Sequence, residues 1–551
     1  MLQGAGQIDW QLYGSGHVHG LLHNGASLVD IERDGLHRET QRSLHGPNPN
    51  PNPSSALQIQ RQWDSLGRLQ SIHTQGLGAG ATPQPLIGQL SQRRYHYDAL
   101  GQLAGIQMSD QTMRYGYDAA GRLRGAASSL TPQAPQTITR WNIDPAGNRL
   151  PAPSQDSQGP GIDWAAQVHA HWQQEHFNLL GQEQAAPQTH GPVTRWADNR
   201  IGYSADAVWR YDACGNRVEQ LGQDGRRLIL GYDGGHQLSE VTTQGPSIGD
   251  GQEQPVQASI SWYIYDALGR RLKKHSEQGK GQTTTTITTH YFGWDGDRLV
   301  HTEHIDAQQP QHRQISHTVY EPGSFTPLVR LSTTANGPQA KPHALELAMQ
   351  DGDDEEERQQ VQDMLAGMPS DMRDMMDKSL RQAMRDGLPP SMQAMFGADE
   401  SQNMAQRLSS MREQLENQEQ GKAPIQVHYY HCDHLGTPLA LTDQQGNIAW
   451  AAKLDPWGNV EEEYNPNHID QPIRLPGQHH DRETGLYYNR HRYYDPKLGG
   501  YINQDPIGWR GGISFYGYPV NPNLGIDPLG LEEVIWSPGP NRSIGDGPRY
   551  G

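Results

Sequence analysis

Residue types that bind zinc are concentrated near position 430 of this 551-residue chain, at His428, His431, Cys432 and His434. Imidazole nitrogens and thiolates are typical zinc ligands. On a β-strand, however, side chains alternate between the two faces, so His431 would point away from the other three. No matching second pair of ligands is obvious along the chain. We therefore predict no metal site here, and no cofactor.

Aspartates followed by proline offer a second kind of chemistry, since a carboxyl group can act as an acid or as a base. Four of them stand in turn-like sequences after position 450: Asp455 in LDPWGN, Asp495 in YYDPKLG, Asp505 in QDPIG and Asp527 in DPLGL. An Asp in such a sequence can equally cap the turn by accepting backbone N–H bonds. The local sequence by itself favours this structural role.

A short turn motif recurs between positions 63 and 299, consisting of an aromatic residue, Asp, two further residues and Gly, often followed by Arg or Asn. The copies are Trp63–Leu69, Tyr97–Leu103, Tyr117–Leu123, Ile143–Leu150, Tyr211–Val218, Tyr232–Leu238 and Tyr265–Leu272, with a degenerate copy at Gly293–Leu299. Asp98 and Asp118 lie 20 residues apart, which fits one hairpin. Asp caps the turn, Gly supplies a positive φ, and the flanking aromatic and Leu residues share one face. Stacked hairpins can bury that face, although an ordinary hairpin in a β-sandwich is the alternative.

The composition fits many short strands better than one large apolar core. Only 34% of the residues are hydrophobic, the mean hydropathy is -0.82, and Gly (62) and Pro (38) are frequent. Such a mix suits strands joined by tight turns, although low hydrophobicity is also typical of disordered chains. The regular aromatic turns argue against disorder for most of this chain.

Charge, cysteine content and hydropathy exclude several classes of protein. The net charge of -18 makes the whole chain a poor partner for nucleic acid, whose phosphates it would repel. The two cysteines, Cys214 and Cys432, do not form a disulfide framework and indicate a reducing compartment. No apolar run reaches the roughly 20 residues of a membrane span, and the N-terminal sequence shows no cleavable signal.

The segment 344–422 differs from the rest, because it contains eleven of the 14 methionines and an acidic run at 351–357. Apolar residues recur there at helical spacing, and prolines divide the segment into several short helices. This pattern predicts a small α-helical insertion whose Met side chains pack on themselves or on the sheet. The alternative is an adaptable Met-rich surface for a partner or for unfolded cargo.

Long motifs follow one another in the C-terminal part, within 429–460 and 475–531: DHLGTP, LDPWGN, PGQ…ETGLYYNRHRYYDP, QDPIG and NP…DPLGL. Together they resemble the core domain of Rhs proteins, and the aromatic-Asp-x-x-Gly units resemble the YD repeats of that family. The resemblance implies an all-β fold in which spiralling antiparallel β-hairpin repeats form part of a hollow cocoon-like shell. The predicted domains are a repeat shell (1–343), the helical insertion (344–422), the Rhs core domain (423–531) and a truncated stub of a variable C-terminal region (532–551).

In toxin-bearing members of that family, the core cuts the chain just after DPxGL with two aspartates, in the manner of an aspartic protease. Carried onto this sequence, the resemblance implies Asp505 and Asp527 as the catalytic pair and a cut between Leu531 and Glu532. Two carboxyl groups suit this role, because close together they cannot both ionise and so share one proton. The charged one would take a proton from water. The protonated one would hydrogen-bond the Leu531 carbonyl oxygen and later donate to the leaving amine, in a single turnover.

One departure from the family pattern bears on this chemistry. Members often carry an Arg-Phe pair shortly before the DP turn, where this chain has Gly500 and Tyr501. If that Arg assists catalysis, cleavage here would be slow unless another guanidinium, such as that of Arg510, substitutes for it.

The resemblance implies a shell fragment that encloses a C-terminal toxin and releases it by self-cleavage during competition between bacteria. The implied partners are the toxin cargo, a secretion carrier similar to a VgrG spike and an immunity protein. The chain would stay in the bacterial cytoplasm until a specialised route such as type VI secretion delivers it to a target cell. The stub after Leu531 is too short to fold as a toxin. Two alternatives are a non-enzymatic surface- or wall-associated YD-repeat protein that binds carbohydrate or a partner, and a truncated remnant without function.

Overall fold

A computed structural model describes residues 7–46, 57–78, 84–130, 137–151, 200–204, 206–245, 257–280, 283–310, 312–335 and 425–535, with short pieces at 164, 167–168, 189–190, 193–194, 378, 381–382, 409 and 412. The chain folds as two compact units. The first unit comprises Met1–Thr302, His317–Leu331 and Val427–Gly551, and the second comprises Glu303–Ser316 and Ser332–Gln426.

The first large sheet in the described part of the chain is an antiparallel meander, in which every strand pairs with its neighbours in sequence. Its twelve strands are β1 (Ile8–Leu12), β2 (Val18–His23), β3 (Ala26–Arg33), β4 (Glu39–Leu44), β5 (Leu57–Trp63), β6 (Leu69–Gln75), β7 (Gln92–Tyr97), β8 (Leu103–Met108), β9 (Thr112–Tyr117), β10 (Leu123–Ser129), β11 (Thr137–Ile143) and β12 (Arg149–Pro151). A single helix, α1 (Gln84–Ser91), stands between β6 and β7.

The second large sheet repeats this design with fourteen strands among the described residues. They are β15 (Ala207–Tyr211), β16 (Arg217–Gly222), β17 (Arg227–Tyr232), β18 (Leu238–Gly245), β19 (Gln257–Tyr265), β20 (Arg271–Lys280), β21 (Thr283–Asp295), β22 (Arg298–Asp306), β23 (Arg313–Tyr320), β24 (Pro327–Ala335), β25 (Gln426–Cys432), β26 (Pro438–Thr442), β27 (Ile448–Leu454) and β28 (Val460–Tyr464). A short pair, β13 (Thr189–His190) and β14 (Val193–Thr194), precedes it.

The C-terminal part of the first unit contains two small sheets. One has four strands, β29 (His479–Asp481), β30 (Leu486–Asn489), β31 (Arg492–Asp495) and β32 (Gly500–Tyr501), and the other pairs β33 (Gly525–Ile526) with β34 (Val534–Ile535). A 3-10 helix at Gly508–Gly511 lies between them in sequence.

Most of the repeat turns close through similar contacts, which Asp64 illustrates. Its Oδ1 accepts the N–H groups of Leu66 and Arg68 at 2.9 and 2.8 Å, and its Oδ2 lies 2.7 Å from Arg68 Nε. Gly67 has a φ of +80°, a conformation that other L-residues adopt at a cost. The Asp residues of later copies accept the same two backbone N–H groups, as at Asp98, Asp118 and Asp266. The local chemistry of Asp-x-x-Gly therefore sets the turn of each hairpin.

In several copies the tyrosine before Asp ties its hairpin to the preceding one. Tyr97 Oη donates a hydrogen bond to the Leu69 carbonyl at 2.9 Å. In the second large sheet Tyr265 Oη donates in the same way to the Leu238 carbonyl at 2.7 Å. The hydroxyl thus bonds to the residue that begins the returning strand of the previous hairpin, so neighbouring copies stack in a fixed register.

A tyrosine-rich hairpin at 486–495 organises the core of the first unit. Because alternate residues of a strand face opposite sides, β30 and β31 contribute to two different clusters. Tyr487 and Tyr494 pack with buried residues of β10 and β11. Tyr488 and Tyr493 pack with buried residues of β17, β18 and β19. This hairpin holds β32, which carries the buried Tyr501, next to the C-terminal turns.

These observations confirm the predicted all-β class of antiparallel hairpin repeats. The predicted helical insertion at 344–422 falls outside the described residues, apart from 378, 381, 382, 409 and 412, which are helical. The predicted boundaries at 343/344 and 422/423 also lie outside them and stay predictions. In the second unit, Arg313 and Glu303 form an ion pair of 2.9 Å across the hairpin of β22 and β23. Within the described residues, no helix combines the length and apolar character needed to cross a membrane.

Candidate active site

The two aspartates that the resemblance implied lie at the ends of short strands in the first unit. Asp505 follows β32, its N–H donates to the Phe515 carbonyl at 3.0 Å, and its Oδ1 accepts the Ile507 N–H at 2.9 Å. Asp527 directly follows β33. Both residues are buried, with 7% and 2% of their surfaces exposed. Asp505 does cap a turn, as the structural interpretation required, but its second oxygen faces a different set of groups.

Arg492 brings the two carboxyl groups together. Its Nη2 lies 3.0 Å from Asp505 Oδ2 and 3.4 Å from Asp527 Oδ2. The guanidinium is itself buried, and it donates from Nε to the Gly530 carbonyl at 2.6 Å and from Nη1 to the Phe515 carbonyl at 3.1 Å. One cation therefore contacts both acids and, at the same time, the backbone of the DPLGL turn.

Asp527 accepts more hydrogen bonds than Asp505 does. Tyr501 Oη donates to its Oδ2 at 2.7 Å, and the Leu531 N–H donates to its Oδ1 at 2.9 Å. The Asn489 side-chain amide donates to both the Tyr501 hydroxyl and the Asp527 carbonyl, each at 2.8 Å. Asp527 is thus held in place through its side chain and its backbone.

The Leu531 carbonyl lies beside Asp505. A Cβ atom placed on Gly511 would clash with Asp505 Oδ2 and with the Leu531 carbonyl oxygen, so both oxygens border the same small space. Glycine at position 511 leaves that space free. The predicted scissile bond joins Leu531 to Glu532. The Leu531 carbonyl is therefore close to Asp505, while the Leu531 N–H donates to Asp527.

Burial determines the electrostatics of the pair. Burial raises the pKa of Asp505 above its usual value, with Arg492 acting in the opposite direction and the charges of Asp527 and Glu532 adding to the rise. Burial likewise raises the pKa of Asp527, against the lowering effects of Arg492 and of the Tyr501 hydrogen bond. Two acids in a dry site with a single cation favour a state with one shared proton.

The residues named in the sequence analysis have different positions around this pair. Tyr501 contacts Asp527 directly, and Gly500 of β32 pairs with Asp495 of β31. Arg510 is exposed on the 3-10 helix, and Arg492 is the guanidinium that reaches both acids. Sequence reasoning did not assign roles to Arg492 or Asn489, although both stand in the motif ETGLYYNRHRYYDP.

The His/Cys group near position 430 is dispersed among separate neighbours. His431 Nε2 lies 2.9 Å from Thr442 Oγ1, and His434 Nε2 lies 3.0 Å from the Asn523 carbonyl. His434 belongs to the turn after β25 rather than to the strand itself. In the described part of the chain, no group of three or more His, Cys, Asp or Glu side chains is arranged to hold a metal ion.

Comparison with known proteins gives a family match and several longer relatives. A family model described as "RHS protein" matches residues 427–464, which cover β25 to β28. The Toxin protein Tse5 of Pseudomonas aeruginosa is 33% identical over 526 residues, or 95% of this chain. The chain belongs to the Rhs family. This Rhs chain spans only 32% of the length of Tse5.

A second relative has a similar relationship to the Rhs chain. The Double-stranded DNA deaminase toxin A of Burkholderia cenocepacia is 28% identical over 535 residues, which are 94% of this chain and 27% of the relative. Among solved structures, TcdB2-TccC3-TEV aligns with 95% of this chain and 20% of its own, at 15% identity and a TM-score of 0.47. The Rhs chain therefore corresponds to about a third or less of these longer proteins.

Proposed function

We propose that this Rhs protein cuts its own backbone once, between Leu531 and Glu532. The observation that carries the proposal is the pair of buried carboxyl groups on one guanidinium, with the Leu531 carbonyl beside Asp505 and the Leu531 N–H on Asp527. The bond to be cut and the groups that would cut it belong to one fold. Such tethering gives a high effective concentration, so a modest catalyst is sufficient for a single turnover.

The contacts suggest which acid holds the proton. Asp527 accepts hydrogen bonds from Tyr501 and from the Leu531 N–H, and such bonds favour the charged form. Asp505 Oδ2 lies next to the Leu531 carbonyl oxygen, where a protonated carboxyl can donate. We therefore assign the base to Asp527 and the acid to Asp505.

Cleavage proceeds through proton transfers among the two acids, one water molecule and the scissile bond. Asp527 takes a proton from water while the resulting hydroxide adds to the Leu531 carbonyl carbon, and Asp505 gives its proton to the carbonyl oxygen. Asp527 next passes its proton to the Glu532 nitrogen as the C–N bond breaks. Asp505 recovers a proton from the new acid, so both carboxyl groups return to their starting states.

At the scale of the organism, we propose that the β-sheet part holds a C-terminal toxin cargo in a shell and that the cut frees this cargo. Support comes from the names of the longer relatives, two of which are toxins. Delivery to a target cell by type VI secretion, a VgrG-like carrier and an immunity protein are further parts of this proposal. The surface-associated, carbohydrate-binding alternative stays a prediction, and it implies glycan binding without processing at Leu531.

Intact mass spectrometry of the expressed full chain tests the cut. We expect the wild type to yield a fragment that ends at Leu531, whereas Asp505→Asn and Asp527→Asn should stay at the full 61.4 kDa. Asp455→Asn is the matched control, because Asp455 caps the same kind of Asp-Pro turn by accepting the Trp457 and Asn459 N–H groups. The proposal is contradicted if the wild-type chain stays whole, or if the cut persists in both the Asp505→Asn and the Asp527→Asn variants.

A further inference from the structure

The chain just after the proposed cut is paired with the chain just before it. Strand β34 (Val534–Ile535) runs antiparallel to β33 (Gly525–Ile526), with Ile526 opposite Val534 and Gly525 opposite Ile535. Since β33 directly precedes Asp527, this small ladder joins a catalytic residue to the segment downstream of the scissile bond. The ladder is made by backbone groups, which every residue except proline can supply.

The upstream side of the bond is also held by its backbone. The His491 N–H donates to the Leu529 carbonyl at 3.1 Å, and Arg492 Nε donates to the Gly530 carbonyl at 2.6 Å. The Leu531 N–H donates to Asp527 Oδ1 at 2.9 Å. The Leu531–Glu532 bond thus lies between two anchors, one at 529–531 and the other at 534–535.

Gly525 makes the downstream anchor sterically feasible. A Cβ atom at this position would approach Glu533 Cγ at 3.1 Å and clash with the Glu533 carboxylate. Because Gly525 has no side chain, the Glu533 side chain can occupy the space beside it. Glu533 is the second residue after the proposed cut, so the glycine controls how closely the downstream segment can approach β33.

We infer that β33 is a docking strand that recognises the downstream side of the cut through main-chain hydrogen bonds. This inference rests on the proposed self-cleavage and adds a rule for its substrate. Residues 534 and 535 must be able to extend, and the one that forms the hydrogen-bonded pair must donate its N–H to β33, because opposite residues of an antiparallel ladder alternate between hydrogen-bonded and non-hydrogen-bonded pairs. No such requirement falls on their side chains. A strand added to an existing edge is a general way to bind a peptide without reading most of its sequence.

A ladder of two residues is sufficient only while the chain is continuous. Before the cut, the short connection from Asp527 to Val534 keeps the two strands at a high effective concentration. After the cut that connection is lost, and two residue pairs are too few to hold a free peptide. The same device therefore positions the bond for cleavage and lets the product leave.

Paired substitutions in the full chain separate backbone from side-chain recognition. Val534→Pro with Ile535→Pro removes both N–H groups yet keeps an extended conformation, and Val534→Ala with Ile535→Ala keeps both N–H groups. The rate of appearance of the 1–531 fragment is followed in a cell-free translation time course. We expect the double-proline chain to be cut about ten times more slowly, the equivalent of about 1.4 kcal/mol. The double-alanine chain should be cut within about twofold of the wild-type rate, less than about 0.5 kcal/mol.

A second measurement does not depend on cleavage. In the uncut Asp505→Asn chain, one of the two amides at 534 and 535 should exchange more slowly than the other, because only the residue of the hydrogen-bonded pair directs its N–H at β33 and paired amides are protected. Unprotected amides overturn the docking strand, as does a double-proline chain cut at the wild-type rate. An equal loss of rate in the double-alanine chain overturns recognition through the backbone. A wild-type chain that is never cut overturns the proposed function instead, whatever the exchange shows.

Discussion

The hydroxyl of Tyr501 lies 2.7 Å from Asp527 Oδ2. Tyr501 stands where Rhs proteins often carry the Phe of an Arg-Phe pair. Its hydrogen bond favours the charged form of Asp527 and so acts against the rise in pKa that burial causes. Tyr501→Phe removes this donor, together with the oxygen that accepts the Asn489 side-chain amide. We expect cleavage to slow about tenfold, since a hydrogen bond to a charged group contributes about 1.5–3 kcal/mol.

The sign of the pH effect follows from the same contact. Without the Tyr501 hydroxyl the pKa of Asp527 rises further, so the base ionises only at higher pH. The acid limb of the cleavage rate, measured by diluting freshly translated chain into a series of buffers, should move to higher pH. Tyr494→Phe is the control, because it removes an equally buried hydroxyl that donates to the Trp457 carbonyl. An unshifted acid limb in Tyr501→Phe would separate this hydroxyl from the chemistry.

Single residues of the site differ in how far sequence could predict them. The resemblance predicted the two aspartates and the scissile bond, namely Asp505, Asp527 and Leu531–Glu532. The structure places them close together, and their catalytic role stays a proposal. Arg492 could not be singled out, because the chain is rich in Arg and nothing local shows which carboxyl a guanidinium will reach. Arg510, five residues after Asp505, was the nearer candidate in sequence, but it is exposed.

At the scale of elements, the turns were predictable because their chemistry is local. Further copies escaped detection, among them those at Asp34 and Asp443. Asp34 accepts the Leu36 and Arg38 N–H groups at 2.9 and 3.0 Å, as Asp64 accepts those of Leu66 and Arg68, but His37 replaces Gly with a φ of +63°. Neither copy has an aromatic residue before Asp. Hydrogen bonding by Asp alone is thus sufficient for the turn, and the glycine and the aromatic residue are aids.

The contribution of the turn glycine can be measured. Gly67→Ala places a side chain at a φ of +80°, which should destabilise the first unit by about 1 kcal/mol and lower its melting temperature by a few degrees at most. Gly116→Ala is the matched control in the interior of β9, because a Cβ there meets no atom within 4 Å. A fall in melting temperature as large for Gly116→Ala as for Gly67→Ala would contradict the role of positive φ in these turns.

At the scale of the whole chain, buried ion pairs join segments that are far apart in sequence. Arg217 and Asp495 pair at 2.7 Å with 0% and 7% of their side chains exposed, and Arg271 pairs with Asp481 at 2.5 Å. Breaking one such pair leaves an uncompensated buried charge, at a cost of about 3–5 kcal/mol. No sequence pattern indicates these partners, because they depend on where the tyrosine-rich hairpin is buried within the first unit.

Buried histidines give the first unit a characteristic response to acid. Burial lowers the pKa of these side chains from 6.5 to about 4 or about 3: His317, His428 and His491 to about 4, and His431, His479 and His480 to about 3. Between pH 6.5 and these values the unfolded chain binds protons that the folded chain does not. The contribution of these histidines to the free energy of unfolding is therefore fully present above pH 6.5 and is lost as the pH falls toward 4. Asp505 and Asp527 oppose this trend, because their pKa values are raised in the folded chain.

Thermal melting followed by circular dichroism tests this response. We expect the melting temperature to fall steadily between pH 6.5 and pH 4, a range in which most carboxylates are still ionised. His431→Gln should flatten the dependence, because Gln can still bond to Thr442 Oγ1 but cannot take up a proton. A melting temperature that is constant down to pH 4 in the wild type and in His431→Gln alike would mean that the His431 imidazole takes up a proton in the folded chain as readily as in the unfolded one, which contradicts its burial.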